Sequence, residues 1–200
     1  MTAQAGLRER KKARTRASLR EHALRLFREQ GYQATTVEQI AAAAEVSAST
    51  FFRYFPTKED VVLQDDMDTR MVAALAAQPP ELGPVAAARA AARQMFASYT
   101  AADMDIVRET TRLTMTVPEV RSRALDEFAR TISVVGEAVA KRAGRPADDL
   151  AVRTTAGAII GVIMSITMPW EGWSADRQHI GDMFGRIDQA LALLEAGLPL

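Results

Sequence analysis

Residues 23–62 read ALRLFREQGYQATTVEQIAAAAEVSASTFFRYFPTKEDVV. Within these 40 residues helix signals and stop signals alternate at short intervals. Leu19, Ala23, Leu26 and Phe27 share one face of a first helix, expected from about residue 7 to residue 30. Gly31 ends it, because glycine accepts the left-handed backbone that closes a helix. Thr36 with Gln39, or Thr35 with Glu38, then offers a capping box for a short second helix over 37–44. After Glu45 and Val46, Ser47 caps a third helix over 48–55, which Pro56 stops by lacking the amide hydrogen the ladder needs. Thr57, with Asp60 three residues on, starts a fourth helix over 58–77. Two short helices joined by a tight turn and braced by a longer one have the geometry of a helix-turn-helix reader.

Outward from this stretch the chain remains helical. No segment alternates apolar and polar residues as a half-buried strand would, and Ala, Leu, Arg, Glu and Met dominate. Pro79-Pro80, Gly83-Pro84, Pro118, Gly144-Arg145-Pro146 and Pro169 with Gly172 punctuate it. Further helices are expected at 85–100, 103–115, 119–143, 147–168 and 175–196, about nine in all. The fold class is all-α: a helix-turn-helix domain expected over residues 1–62 and a second helical domain over 63–200.

Charge is distributed unevenly. The chain holds 25 basic and 25 acidic side chains. Residues 1–30 carry nine basic residues against three acidic ones, a net +6, so residues 31–200 carry −6. A basic end on an acidic body fits a local polyanion contact or, equally, a solvated amphipathic helix. The basic arm Arg8–Arg16 can enter a minor groove or track phosphates.

Cysteine is absent, which excludes disulfides, thiolate nucleophiles and cysteine zinc sites. Only His22 and His179 are present, so a metal cage or a nucleophile–base pair is not expected, and no phosphate-cradling glycine motif occurs. Neither enzymatic activity nor a cofactor is expected. The apolar run Ala156–Trp170 is shorter than the ~20 residues that span a bilayer and reads as a buried core helix. No leader pattern is evident, so a soluble, cytoplasmic protein is expected.

On the third helix, Ala48, Ser49, Thr50 and Arg53 form a small, polar outer face, and Phe51 and Phe55 an inner one with Val46, Ile40 and Ala44. Lys58 sits in a helix first turn, where the macrodipole disfavours a cation, a placement that a facing phosphate would explain. The quoted stretch resembles the DNA-binding domain of the tetracycline-repressor (TetR) family. The resemblance rests on Phe27, Gly31-Tyr32, Thr35-Thr36, Ile40-Ala41, Val46-Ser47, Thr50, Tyr54-Phe55 and Lys58-Glu59 at their spacing. Thr50 to Phe55, TFFRYF, is similar to an actinobacterial subgroup. The resemblance implies phosphate contacts from Thr36, Tyr54 and Lys58, and base or adjoining backbone contacts from Ala48, Ser49, Thr50 and Arg53. Phe52 stands where many members place a tyrosine whose hydroxyl meets phosphate, so that contact is replaced by ring packing or lost. Val37 stands where some members read a base with arginine. Arg53 is expected to be the most sequence-specific side chain, since a guanidinium can bridge guanine O6 and N7.

The family's remaining helices imply a homodimer interface and an effector pocket. Ile180, Met183, Phe184, Ile187, Leu191 and Leu194 form an apolar stripe; with the small residues Ala156, Gly157, Ala158 and Gly161 it is expected to build a four-helix interface. The alternative is that the stripe faces the subunit's own core. Pocket candidates are Met95, Phe96, Tyr99, Met104, Met115, Phe128, Met164, Met168, Trp170 and Trp173. The region Arg112–Arg123 is similar to regulators with an acyl-CoA-type sensing domain. Arg108, Arg112, Arg121 and Arg123 meet an anionic headgroup or pair with Glu109, Glu119, Asp126 and Glu127. The expected function is a ligand-responsive repressor that holds a pseudo-palindromic operator in double-stranded DNA as a dimer. A small apolar or amphipathic effector releases it by shifting the fourth helix. The alternative class is a helical small-molecule-binding or scaffold protein whose helix-turn-helix serves protein contacts.

Overall fold

The computed structural model describes residues 2–63, 67–168 and 177–199. Helices account for every regular element among them: α1 (Thr2–Gln30), α2 (Val37–Ala43), α3 (Ala48–Tyr54), α4 (Asp60–Leu63), α5 (Met67–Ala76), α6 (Pro84–Ala97), α7 (Ala101–Thr116), α8 (Pro118–Ala143), α9 (Leu150–Thr167) and α10 (Arg177–Glu195). The all-α reading holds. The helix expected over 58–77 falls on α4 and α5, with residues 64–66 outside the described residues, so ten helical segments stand where about nine were expected.

The ends follow local chemistry. α1 begins at Thr2 rather than near residue 7, because residues 2–7 hold no proline and the one glycine, Gly6, lowers helix propensity without removing a backbone donor. Pro118, Pro84 and Asp149 open α8, α6 and α9. Proline suits the first helical position, and the Asp149 carboxylate accepts from Ala151 N (2.8 Å) and Val152 N (3.3 Å). That cap moves the start of α9 from the expected 147 to 150. Thr100 and Asp103 exchange reciprocal bonds (2.8 and 3.2 Å) ahead of α7.

The chain divides into two compact units. Unit 1 is Met1–Gln64 with Val117–Arg123; unit 2 is Asp65–Thr116 with Ala124–Leu200. In unit 1, Leu19, Ala23, Phe27, Ile40, Phe51, Phe55, Val61, Val62 and Val120 are buried. Asp60, also buried, accepts from Arg123 Nε (2.7 Å) and from Thr57 N (3.0 Å), and its own amide donates to Thr57 Oγ1 (3.2 Å). The capping box expected at Thr57–Asp60 thus forms around a buried ion pair to the first turns of α8.

Unit 2 packs α5, α6, α8, α9 and α10 around Leu75, Ala88, Val135, Val139, Ile159, Ile160, Ile187 and Leu191. Arg89 and Arg93 of α6 both hold Asp188 of α10 (2.9 and 2.5 Å), and Arg142 donates to the carbonyls of Leu82, Gln78 and Pro79. Two expectations change here. The α10 stripe faces the subunit's own core, with Met183, Ile187 and Leu191 buried; the side chain of Ile180 lies outside the described residues. And α9 is not a fully buried core helix. Only 22% of its 18 residues are buried, because it is apolar all round while its own chain covers one face, Val152–Ala156–Ile159–Ile160.

Candidate nucleic-acid interface

The site is built by three caps and one turn. At α2, Thr36 accepts from Gln39 N (3.2 Å) while the Gln39 side chain accepts from Thr36 N (2.9 Å). The alternative box from Thr35 to Glu38 does not form. Thr35 is buried instead, donating to Gly31 O (2.8 Å) and receiving Gln30 Nε2 (3.1 Å). The helix-turn-helix turn closes α2 by Glu45 N to Ala42 O (3.1 Å) and Val46 N to Ala41 O (2.9 Å), with Glu45 at φ 56°. This is the left-handed closure that glycine usually makes. Ser47 then caps α3 by accepting from Thr50 N (3.1 Å), and its hydroxyl lies 2.9 Å from that of Ser49 and 3.0 Å from that of Thr50.

α3 is two-faced, as its sequence predicts. Phe51 and Phe55 are fully buried, 5.7 Å apart between ring centres. Ser49 and Arg53 are exposed; Ala48, Thr50 and Tyr54 are half-buried. The Arg53 guanidinium lies over the Tyr54 ring at 5.5 Å, which orders its stem without occupying its hydrogen bonds. Phe52 is 51% exposed and meets Phe51 edge-on at 5.5 Å. Its ring therefore packs on one edge and leaves the other open beside Arg53.

Lys58 is more tightly engaged than its sequence position suggests. Its ammonium donates to the carbonyls of Tyr32 (3.0 Å) and Thr35 (3.2 Å) and lies 4.0 Å from the centre of the Tyr32 ring. That fastens the α1–α2 turn to the start of α4. Tyr32, its ring tilted 47° against that of Phe27, donates a 2.5 Å bond to Glu59. Burial and that carboxylate push the Tyr32 phenol far above its ordinary pKa. Burial opposes the charge on Glu59, but the Tyr32 hydroxyl and neighbouring donors outweigh it and hold the carboxyl below its usual value. Tyr32 and Glu59 carried the family pattern in the sequence, but their bond joins residues 27 positions apart, and no local signal announces it.

Phe96 and Tyr99 meet edge-on, and Phe184 of α10 stacks on Phe96 at 3.9 Å, a partner read only as part of the α10 stripe. Met95 and Met168 are buried; Met104, Met115, Phe128 and Met164 are half-buried. Trp170 and Trp173 lie outside the described residues. An apolar cavity of about 10 Å³ lies in the unit 2 core, lined by Met71, Leu75, Val135, Ile159, Ile163 and Leu191 among others, none of them a candidate. Three of the four arginines proposed for an anionic headgroup form ion pairs within the chain. Arg108 pairs with Asp105, Arg112 with Glu109 (2.6 Å), and Arg123 with Asp60. Among the described residues no cluster of His, Asp or Glu could hold a metal ion.

Residues 19–64 match the family described as bacterial regulatory proteins, tetR family, and residues 82–199 match the MftR C-terminal domain. TcmR of Streptomyces glaucescens, an HTH-type transcriptional regulator, is 47% identical over 93 residues, 46% of this chain; the chain spans 41% of TcmR's length. MftR of Mycobacterium tuberculosis, named for the regulation of mycofactocin biosynthesis, is 25% identical over 80% of this chain and 82% of its own. The fold is similar to Thermus thermophilus FadR, a TetR-family repressor crystallised with lauroyl-CoA. It has a TM-score of 0.52 and 25% identity, covering 92% of this chain and 95% of that one. A capped reading helix with its aromatics inside and Ser49 and Arg53 outside, joined to a helical second unit, defines the class: a ligand-responsive, DNA-binding transcription regulator. The chain belongs to the TetR family of bacterial regulatory proteins, a family of regulators rather than enzymes.

Proposed function

We propose that the protein is a homodimeric repressor that holds a pseudo-palindromic operator and releases it when a small apolar or amphipathic effector enters unit 2. The observation that carries this reading is the two-faced α3, with Phe51 and Phe55 at 0% exposure and Ser49 and Arg53 in solvent. In this reading Ala48, Ser49, Thr50 and Arg53 face the bases or adjoining backbone, Thr36, Tyr54 and Lys58 hold phosphates, and Phe52 meets the DNA by its ring alone. Lys58 acts there with the one ammonium hydrogen its two carbonyl bonds leave. The half-covered α9 supports dimerisation. A Cβ built at Gly157 or Gly161 meets nothing within 4 Å, so this small-residue face is open to a second helix. The FadR relative, crystallised with lauroyl-CoA, supports an acyl-CoA-like effector. The effector acts by binding more tightly to a form of unit 2 that holds DNA less well. A cytoplasmic location follows from the same reading.

The test is a mobility shift with DNA from upstream of the chain's own coding sequence, with and without lauroyl-CoA. Binding of two chains per site, released by the thioester, is expected; absence of any shift overturns the reading. For the dimer, Gly161→Leu should leave the melting temperature intact or raised, since leucine favours the helix by ~1 kcal/mol, and should yield monomers in sedimentation.

A further inference from the structure

Residues 8–14 of α1 have no packing partner among the described residues. Residues 8–14 are exposed on every side, and the helix begins to be covered only at Thr15 and Arg16. This free-standing stretch carries Arg8, Arg10, Lys11, Lys12 and Arg14 against Glu9 alone. Among the described residues none of the five cations is paired with a carboxylate. Its electrostatics are unfavourable. Arg8 and Lys12, Lys12 and Arg16, and Arg10 and Arg14 are like-charge pairs four residues apart. A sequence that sets cations against one another is relieved by a polyanion.

The geometry says which face and which partner. Arg8, Lys12 and Arg16 are four apart and continue the stripe Leu19–Ala23–Phe27 by which α1 packs in unit 1. Lys11 flanks them, three residues from Arg8, whereas Arg10 and Arg14 lie on the opposite side. At the root of the stripe, the Arg16 guanidinium lies 5.1 Å from the centre of the Phe55 ring, and Phe55 closes α3. The basic overhang therefore starts at the end of the reading helix.

We infer that Arg8, Lys11 and Lys12 form a helical rail that binds the phosphates of duplex DNA flanking the groove α3 enters. This rests on the DNA-binding reading above and adds a second contact to it. The helical form decides between the two roles open to a basic arm. A helix about 10–12 Å across with its side chains does not enter a minor groove about 6 Å wide, so the arm tracks the backbone from outside. From Arg8 to Arg16 the axis advances about 12 Å, the axial rise of three to four phosphates of one strand.

The experiment compares the full-length wild type with Arg8→Gln/Lys11→Gln/Lys12→Gln and with the opposite-face control Arg10→Gln/Arg14→Gln. Anisotropy is read on a labelled duplex from the chain's upstream DNA and on a scrambled duplex, across a KCl series. Circular dichroism confirms that each variant folds; glutamine is nearly as good a helix former as the residues it replaces. Each phosphate contact contributes about 0.9 to the slope of log affinity against log salt. With two chains on each duplex the triple substitution removes six cations, so it should lose between about 4 and 5 from the slope on both duplexes, because phosphates carry no sequence information, and the control less than about 2. An unchanged slope in the triple variant, or an equal loss in the control, overturns the rail. So does wild-type sedimentation with phosphatidylglycerol vesicles that the triple substitution abolishes while the DNA slope stays constant. If the wild type binds neither duplex, the function proposed above fails instead.

Discussion

At the residue scale, Arg53 and Lys58 stand in different surroundings, and the proposed division between reading and holding rests on that difference. Arg53 is exposed and stacked on Tyr54, with its guanidinium edge open; Lys58 spends two of its three donors on backbone carbonyls. Arg53→Ala is expected to lose about 1–3 kcal/mol on the operator but little on random DNA, narrowing the ratio of the two affinities. Lys58→Ala should weaken both duplexes alike. It should also lower stability in urea by about 1–3 kcal/mol, since the Tyr32 and Thr35 carbonyls lose a charged donor. Equal affinity ratios for the two variants would contradict this division. The outward placement of Ser49 and Arg53 was legible in the sequence because a four-residue spacing of Phe51 and Phe55 sets the opposite face. The commitment of Lys58 was not, because its acceptors lie 23 and 26 residues away.

At the scale of elements, caps decide where helices start, and one turn carries a conformational penalty. Glu45 occupies the left-handed region with a Cβ, which disfavours it by about 1–2 kcal/mol relative to glycine. Glu45→Gly should raise stability by up to ~1 kcal/mol, part of the gain being offset by the freer unfolded chain, with DNA affinity unaltered. A melting temperature that falls would mean the Glu45 side chain makes a contact worth more than the backbone strain. Between α6 and α10, the Arg93 and Arg89 bonds depress the Asp188 pKa to about 2. A depressed carboxyl stabilises the fold above its unfolded pKa of about 4 and loses that contribution as pH falls through 2. The stability of unit 2 should therefore decline between pH 4 and 2, and Asp188→Asn should flatten that portion of the acid titration.

At the scale of the whole molecule, Val117–Arg123 counts with residues 1–64 and the remainder of α8 with unit 2. Arg123 neutralises Asp60, whose side chain is 1% exposed. Arg123→Ala leaves that carboxylate buried without its cation and should destabilise unit 1 by about 3–5 kcal/mol in denaturant. Asp60→Asn in the same chain should restore most of the loss. A fragment ending at Gln64 lacks the arginine altogether and is expected to melt below the full chain. If Arg123→Ala unfolds at the wild-type denaturant midpoint, the pair contributes nothing.

The helical class, the caps at Thr36, Ser47 and Thr57, and the two faces of α3 were written in the sequence. They depend on spacings of three and four residues, which a helix turns into contacts without help from the rest of the chain. The direction of the α10 stripe into its own core, the open face of α9, the Asp60–Arg123 pair and the Lys58 bonds were decided only by tertiary structure. Apolar periodicity says that a face will be covered but not by what. A charge likewise carries no label for a partner 63 residues away.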